Sequence, residues 1–85
     1  MEIADWRKRI DVLDEELVRV LSERARCAQA IGELKRTSAR AVYEPDRERQ
    51  VIEHVRSANH GPIPDELMTT LFERVMEVMR AMQSV

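Results

Sequence analysis

The sequence predicts an all-α fold with three helices per chain, completed by a second chain. Two observations predict the helices. An apolar row recurs at alternating three- and four-residue steps through the first third of the chain, and two shorter segments carry apolar faces of helical period after it. A third observation predicts the partner. A helix of about 35 residues is roughly 52 Å long, whereas a compact chain of 85 residues would have a radius of gyration near 12 Å, roughly. The first helix must overrun any core its own chain can build, and its stripe then needs a second chain to cover it.

The first helix is expected over residues 3–37. Its row reads Ile3, Trp6, Ile10, Leu13, Leu17, Val20, Arg24, Cys27, Ile31 and Leu34. Cys27 reads as a small core residue, and Gly32 as a place where another helix comes close. Arg24 is the exception in the row, because a cation on an apolar seam costs free energy unless it is paired. Residues 38–43 break the period and read as a loop. The second helix is expected over residues 45–58, with Pro45 at its first position and Asp46 and Glu48 at its positive end. Val51, Ile52 and Val55 form its apolar face, and Arg47 and Glu48 fall on that face or its edge. Residues 57–64, centred on His60-Gly61-Pro62, read as a turn. The third helix is expected over residues 65–83, with Leu67, Leu71, Phe72, Val75, Val78, Met79 and Met82 on its apolar face and Gln83 at the edge.

Composition narrows the function. A net charge of −2 lacks the basic excess of a nucleic-acid binder. No apolar run approaches the roughly 18 residues of a membrane span, and no signal peptide is visible, so a cytoplasmic location is the default. His54 and His60 lack ligand spacing and read as surface residues, so no metal is expected. There is no glycine-rich phosphate loop and no serine-nucleophile motif, so no cofactor is expected either.

The inward charges form a set. Arg24 and Lys35 lie eleven residues apart, which returns to within about 20° of the same face at a rise of roughly 16 Å. Arg47 and Glu48 add a cation and an acceptor, and Gln83 adds a neutral donor. Arg7 stands about 25 Å from Arg24 along the same helix, so it joins this set only from an antiparallel partner. Asp14 lies near Arg7 and reads as its structural pair. Singly, each residue has an ordinary reading: a snorkelling Arg24, a dipole-pairing Lys35, a surface pair of Arg47 with Glu48, a frayed-end Gln83. Together they suit a small dianion that bears a hydroxyl, since guanidinium groups bind carboxylates bidentately and a carboxylate accepts from a hydroxyl.

These residues resemble the all-helical class of chorismate mutases over nearly the whole chain. The matching pieces are Arg7 with Ile10-Asp11-Val12-Leu13-Asp14, Leu21-Ser22-Glu23-Arg24, Ile31-Gly32 followed by Lys35, Tyr43-Glu44-Pro45-Asp46-Arg47-Glu48, and Gly61-Pro62-Ile63-Pro64 before Leu71-Phe72. The resemblance implies a single mutase-like domain over residues 1–85, assembled as an intertwined helical homodimer, that converts chorismate to prephenate in phenylalanine and tyrosine biosynthesis. By the same resemblance Arg24 and the partner's Arg7 bind the two carboxylates. Lys35 and Gln83 bond the ether oxygen, Glu48 accepts from the ring hydroxyl, and Arg47 holds the pocket edge. Glu44 stands where relatives often carry Asp and keeps a hydroxyl or water contact. Met79 stands where some relatives have Ser, so that hydrogen bond to a carboxylate is missing. An isochorismate pyruvate-lyase of the same fold and a non-catalytic helical dimerisation module are the alternatives. The Glu44-Pro45-Asp46-Arg47-Glu48 run favours the mutase over the lyase.

Overall fold

The computed structural model of the chain describes residues 1–38 and 44–83. Its elements are α1 (Ile3–Ser38), α2 (Pro45–Ala58) and α3 (Asp65–Gln83), with no strand among the described residues. This is the all-α, three-helix class that the sequence predicts. α1 passes its predicted end at residue 37 by one residue. The rest of the predicted loop, residues 39–43, lies outside the described residues, Tyr43 included.

Local chemistry sets each boundary. At the start of α1 the Glu2 amide donates to Asp5 Oδ2 at 2.9 Å, which satisfies one amide before the first turn and places a carboxylate on the positive helix end. Lys35 and Arg36 sit in the last turn, where cations meet the helix carbonyls. α2 opens on Pro45, with Glu44 extended at the N-cap but making no side-chain cap bond. The Glu44 carboxylate is instead engaged by Lys35 of α1.

Asn59 organises the turn between α2 and α3. Its Nδ2 donates to the Ile63 carbonyl at 2.8 Å and to Asp65 Oδ1 at 2.9 Å, and its Oδ1 accepts from the Gly61 amide at 3.2 Å. Gly61 has φ 81°, a left-handed conformation that glycine takes without strain, and the Gly61-Pro62 peptide is cis. The turn predicted around His60-Gly61-Pro62 falls between α2 and α3, with the left-handed residue at Gly61.

α3 is the middle element. It packs on α1 and on α2, whereas α1 and α2 are not packed against each other. Val51 of α2 and Met76 and Met79 of α3 are the buried apolar residues, and no described side chain is fully buried. The predicted face of α3 is split in two. Phe72, Met76, Met79 and Gln83, at helical steps of four, three and four, turn towards the other helices, while Leu67 and Leu71 remain 59% and 52% exposed.

α1 likewise has two faces. Leu21, Ala25, Ala28, Gly32 and Lys35 turn towards the chain's own helices, and the small residues among them let α3 approach closely. The predicted heptad row lies beside this face; its apolar members stay exposed, whereas Arg24 is half-buried against α3. Trp6 and Leu17 are 53% and 55% exposed, and every residue from 3 to 20 is exposed. Cys27 is exposed as well, which corrects its reading as a core residue: it lies at the rim of the packed face rather than under it. The radius of gyration is 15.8 Å and the long dimension 54 Å, so α1 sets the length of the molecule.

Asn59→Ala removes three hydrogen bonds from the α2–α3 turn. It is expected to lower stability by about 2 kcal/mol, read from urea unfolding at fixed protein concentration.

Candidate active site

The three helices converge around a cavity of about 330 Å³, lined by charged and apolar side chains, at the covered half of α1. Arg24, Ile31 and Lys35 line it from α1, Arg47, Glu48 and Val51 from α2 with Glu44 at its cap, and Met79, Arg80 and Gln83 from α3. Six of the eight residues singled out as a substrate-binding set at the sequence level enter as charged or amide side chains: Arg24, Lys35, Glu44, Arg47, Glu48 and Gln83. Met79 enters through its thioether. Arg7 does not line the cavity; it lies on the exposed first half of α1.

Helical spacing explains the gathering. Arg24, Ala28, Ile31 and Lys35 recur at four, three and four residues, so one face of α1 carries all of them. Glu44, Arg47, Glu48 and Val51 do the same for the start of α2, and Met76, Met79, Arg80 and Gln83 for the end of α3. Among the described residues α3 packs on both α1 and α2, and the cavity lies where the three meet.

Polar contacts fix most of the lining. Lys35 Nζ lies 3.4 Å from Glu44 Oε1, and the Lys35 side chain is only 14% exposed. Arg24 Nη1 donates to the Met79 sulfur at 2.8 Å. A thioether is a weak acceptor, so this contact orients the guanidinium without neutralising it. Where a serine hydroxyl would give a hydrogen bond to a ligand, Met79 is 6% exposed and holds Arg24 instead. Gln83 Nε2 donates to the Ala28 carbonyl at 2.6 Å. That bond sets the orientation of the amide and leaves its second N–H for another acceptor. The closeness depends on Gly32: a Cβ placed there would meet Gln83 Cγ at 3.2 Å, tighter than ordinary van der Waals contact.

Arg80 is the cavity residue that the sequence reading missed. Its Nη1 donates to Glu48 Oε2 across the α2–α3 junction. The signal was present, since Arg80 lies three residues before Gln83 and one turn after Met76, a cation on the inward row of α3. With it, four cationic and two carboxylate side chains line the cavity among the described residues, an excess of two positive charges. Such an excess favours an anionic ligand.

Residues 6–84 match the sequence profile of the family described as chorismate mutase type II. The chain belongs to this family. A bifunctional chorismate mutase/prephenate dehydratase of Neisseria gonorrhoeae is 47% identical over 77 residues, which is 91% of this chain and 21% of that protein. A chorismate mutase of Methanocaldococcus jannaschii is 23% identical over 83 residues, 96% of this chain and 84% of that one. Among solved structures, a chorismate mutase (form II) from Thermus thermophilus superimposes with a TM-score of 0.94 at 33% identity, covering 96% of this chain and 93% of the other. The chain spans about a fifth of the length of the bifunctional relatives it matches. No described helix is long and apolar enough to cross a membrane.

Gly32→Val crowds the Gln83 side chain where it lies against α1. A stability loss of about 2 kcal/mol is expected from overpacking, measured by denaturant titration of the variant beside the wild type.

Proposed function

We propose that this chain is a chorismate mutase domain, residues 1–85, that rearranges chorismate to prephenate as a homodimer. The single observation that carries the reading is the charge of the cavity: four cations against two carboxylates, with Gln83 as an oriented neutral donor beside them. Membership of the chorismate mutase type II family supports the same substrate.

The roles follow from donor chemistry. Chorismate carries two carboxylates, an enol ether and a ring hydroxyl. Arg24, held by Met79 through one Nη, keeps its remaining N–H groups for one carboxylate. Arg7 of the partner subunit would serve the other, because α1 is long enough to carry its exposed first half onto the neighbouring cavity. The open heptad row from Ile3 to Leu34 supports this pairing of chains. Arg47, on the first turn of α2, closes the pocket edge near a carboxylate. Lys35 and the second N–H of Gln83 would meet the ether oxygen. Glu48 accepts from the ring hydroxyl, and Glu44 holds Lys35 in place.

The reaction is intramolecular: one C–O bond breaks as one C–C bond forms, with no proton transferred and no covalent link to the enzyme. Two effects then suffice. The cations fold the flexible side chain of the substrate over its ring, the reactive conformer. As the C–O bond lengthens, negative charge grows on the ether oxygen, and Lys35 and Gln83 stabilise it with donors already in place. Gln83 carries no titratable proton, so activity at neutral pH is expected.

Incubation with chorismate and identification of the product tests the reading. Prephenate supports it; pyruvate released from isochorismate, with chorismate untouched, replaces it with the lyase. Lys35→Ala and Gln83→Ala should each lower kcat/KM by on the order of a hundredfold, the cost of losing one such donor. The shared site has its own test. Arg7→Ala and Arg24→Ala homodimers should both be nearly inactive, and mixing the two chains should restore one intact site per dimer. No recovery after confirmed subunit exchange removes Arg7 from the site.

A further inference from the structure

Arg80 has no part in the roles given above, yet it lines the cavity and binds one of the residues that does. Its Nη1 donates to Glu48 Oε2, with side-chain exposures of 32% and 25% for the two partners. Glu48 stands on the first turn of α2 and Arg80 near the last turn of α3, so the ion pair spans the junction of the two helices at the cavity. A carboxylate has two oxygens and about four acceptor positions. Arg80 occupies Oε2, and no other donor among the described residues is bonded to the Glu48 carboxylate, which leaves Oε1 to accept from a ligand. A glutamate side chain that is free to rotate loses rotamer freedom when a ligand fixes it. In this chain the ion pair fixes it beforehand.

We propose that Arg80 is a positioning residue for Glu48: it holds the carboxylate so that Oε1 meets the ring hydroxyl of the substrate. The inference rests on the mutase reading and adds a residue to it. Arg80 touches the reaction only through Glu48, so its removal affects substrates according to whether they carry the hydroxyl.

The test compares Arg80→Leu, Arg80→Gln and Arg80→Lys on two substrates, chorismate and its analogue lacking the ring hydroxyl. For Arg80→Leu, kcat/KM on chorismate should fall about tenfold, mostly through KM, as for a lost hydrogen bond to a charged group. On the analogue the change should stay within about twofold, because that substrate makes no use of Glu48. Arg80→Lys should recover much of the loss, since it restores a cation to Oε2. Arg80→Gln gives the same comparison should the leucine variant not fold. In a Glu48→Gln background, Arg80→Leu should add nothing further, the signature of two residues acting as one unit. Equal losses on both substrates, additive effects in the double variant, or a gain of activity without Arg80 would each overturn the proposal. A wild-type protein inert towards chorismate overturns the mutase reading and this inference with it. An active wild type with an unaltered Arg80→Leu variant overturns this inference alone.

Discussion

The structure depends on a mismatch of lengths. α1 has 36 residues, whereas α2 has 14 and α3 has 19. At about 1.5 Å per residue, α3 spans roughly half of α1. The covered half of α1 gains small residues, close packing and the cavity; the other half gains nothing from its own chain. The thin core, Val51, Met76 and Met79 among the described residues, is the energetic face of the same fact. Small domains that bury so little apolar surface are commonly stabilised by association. The proposed dimer supplies that surface, and with it a way for Arg7 to reach a cavity its own chain keeps out of range.

Charged groups tolerate the partly buried junction because each is matched to a contact. Lys35 meets Glu44, Glu48 meets Arg80, and Arg24 meets the Met79 sulfur. These contacts are not equal. The two ion pairs neutralise their members, which offsets much of the desolvation that an isolated charge would suffer. The thioether orients Arg24 but leaves its charge in place. Arg47, on the exposed edge, has the same character with respect to the cavity. The uncompensated positive charge is therefore concentrated on the two arginines, the side chains best shaped for bidentate capture of carboxylates.

Periodicity made the helices and most of the cavity legible in the sequence. Arg24 and Lys35, Arg47 and Glu48, and Gln83 could each be placed inward from spacing alone, because side chains three and four apart share a face. Spacing has no power to rank two adjacent faces of one helix. Ala25, Ala28 and Gly32 look ordinary beside Ile31 and Leu34, yet they form the packed face, since close approach of α3 rewards small size rather than hydrophobicity. The same limit produced the reading of Cys27 as core. Arg80 escaped for a related reason: it follows Met79 directly in an apolar helix, where a single cation reads as the solvent side. Asn59 escaped because its three bonds reach forward to Gly61, Ile63 and Asp65, and only the folded turn brings those groups together.

The contact between Gly32 and Gln83 shows why stability and chemistry are hard to separate in so small a chain. Gly32 is unfavourable inside a helix by about 1 kcal/mol relative to alanine. Its lack of a side chain lets Gln83 lie against α1 and donate to the Ala28 carbonyl, a group whose second lone pair a helix normally leaves to water or to nothing. That bond ends α3 against α1 and, in the same stroke, points the remaining amide hydrogen. A longer side chain at position 32 would fill the space and lose both. The donor aimed at the proposed ether oxygen is thus held by the packing that closes the fold at its covered end, so its orientation is settled before any ligand arrives, and preorganisation of that kind is the part of electrostatic catalysis a protein can build into its resting state.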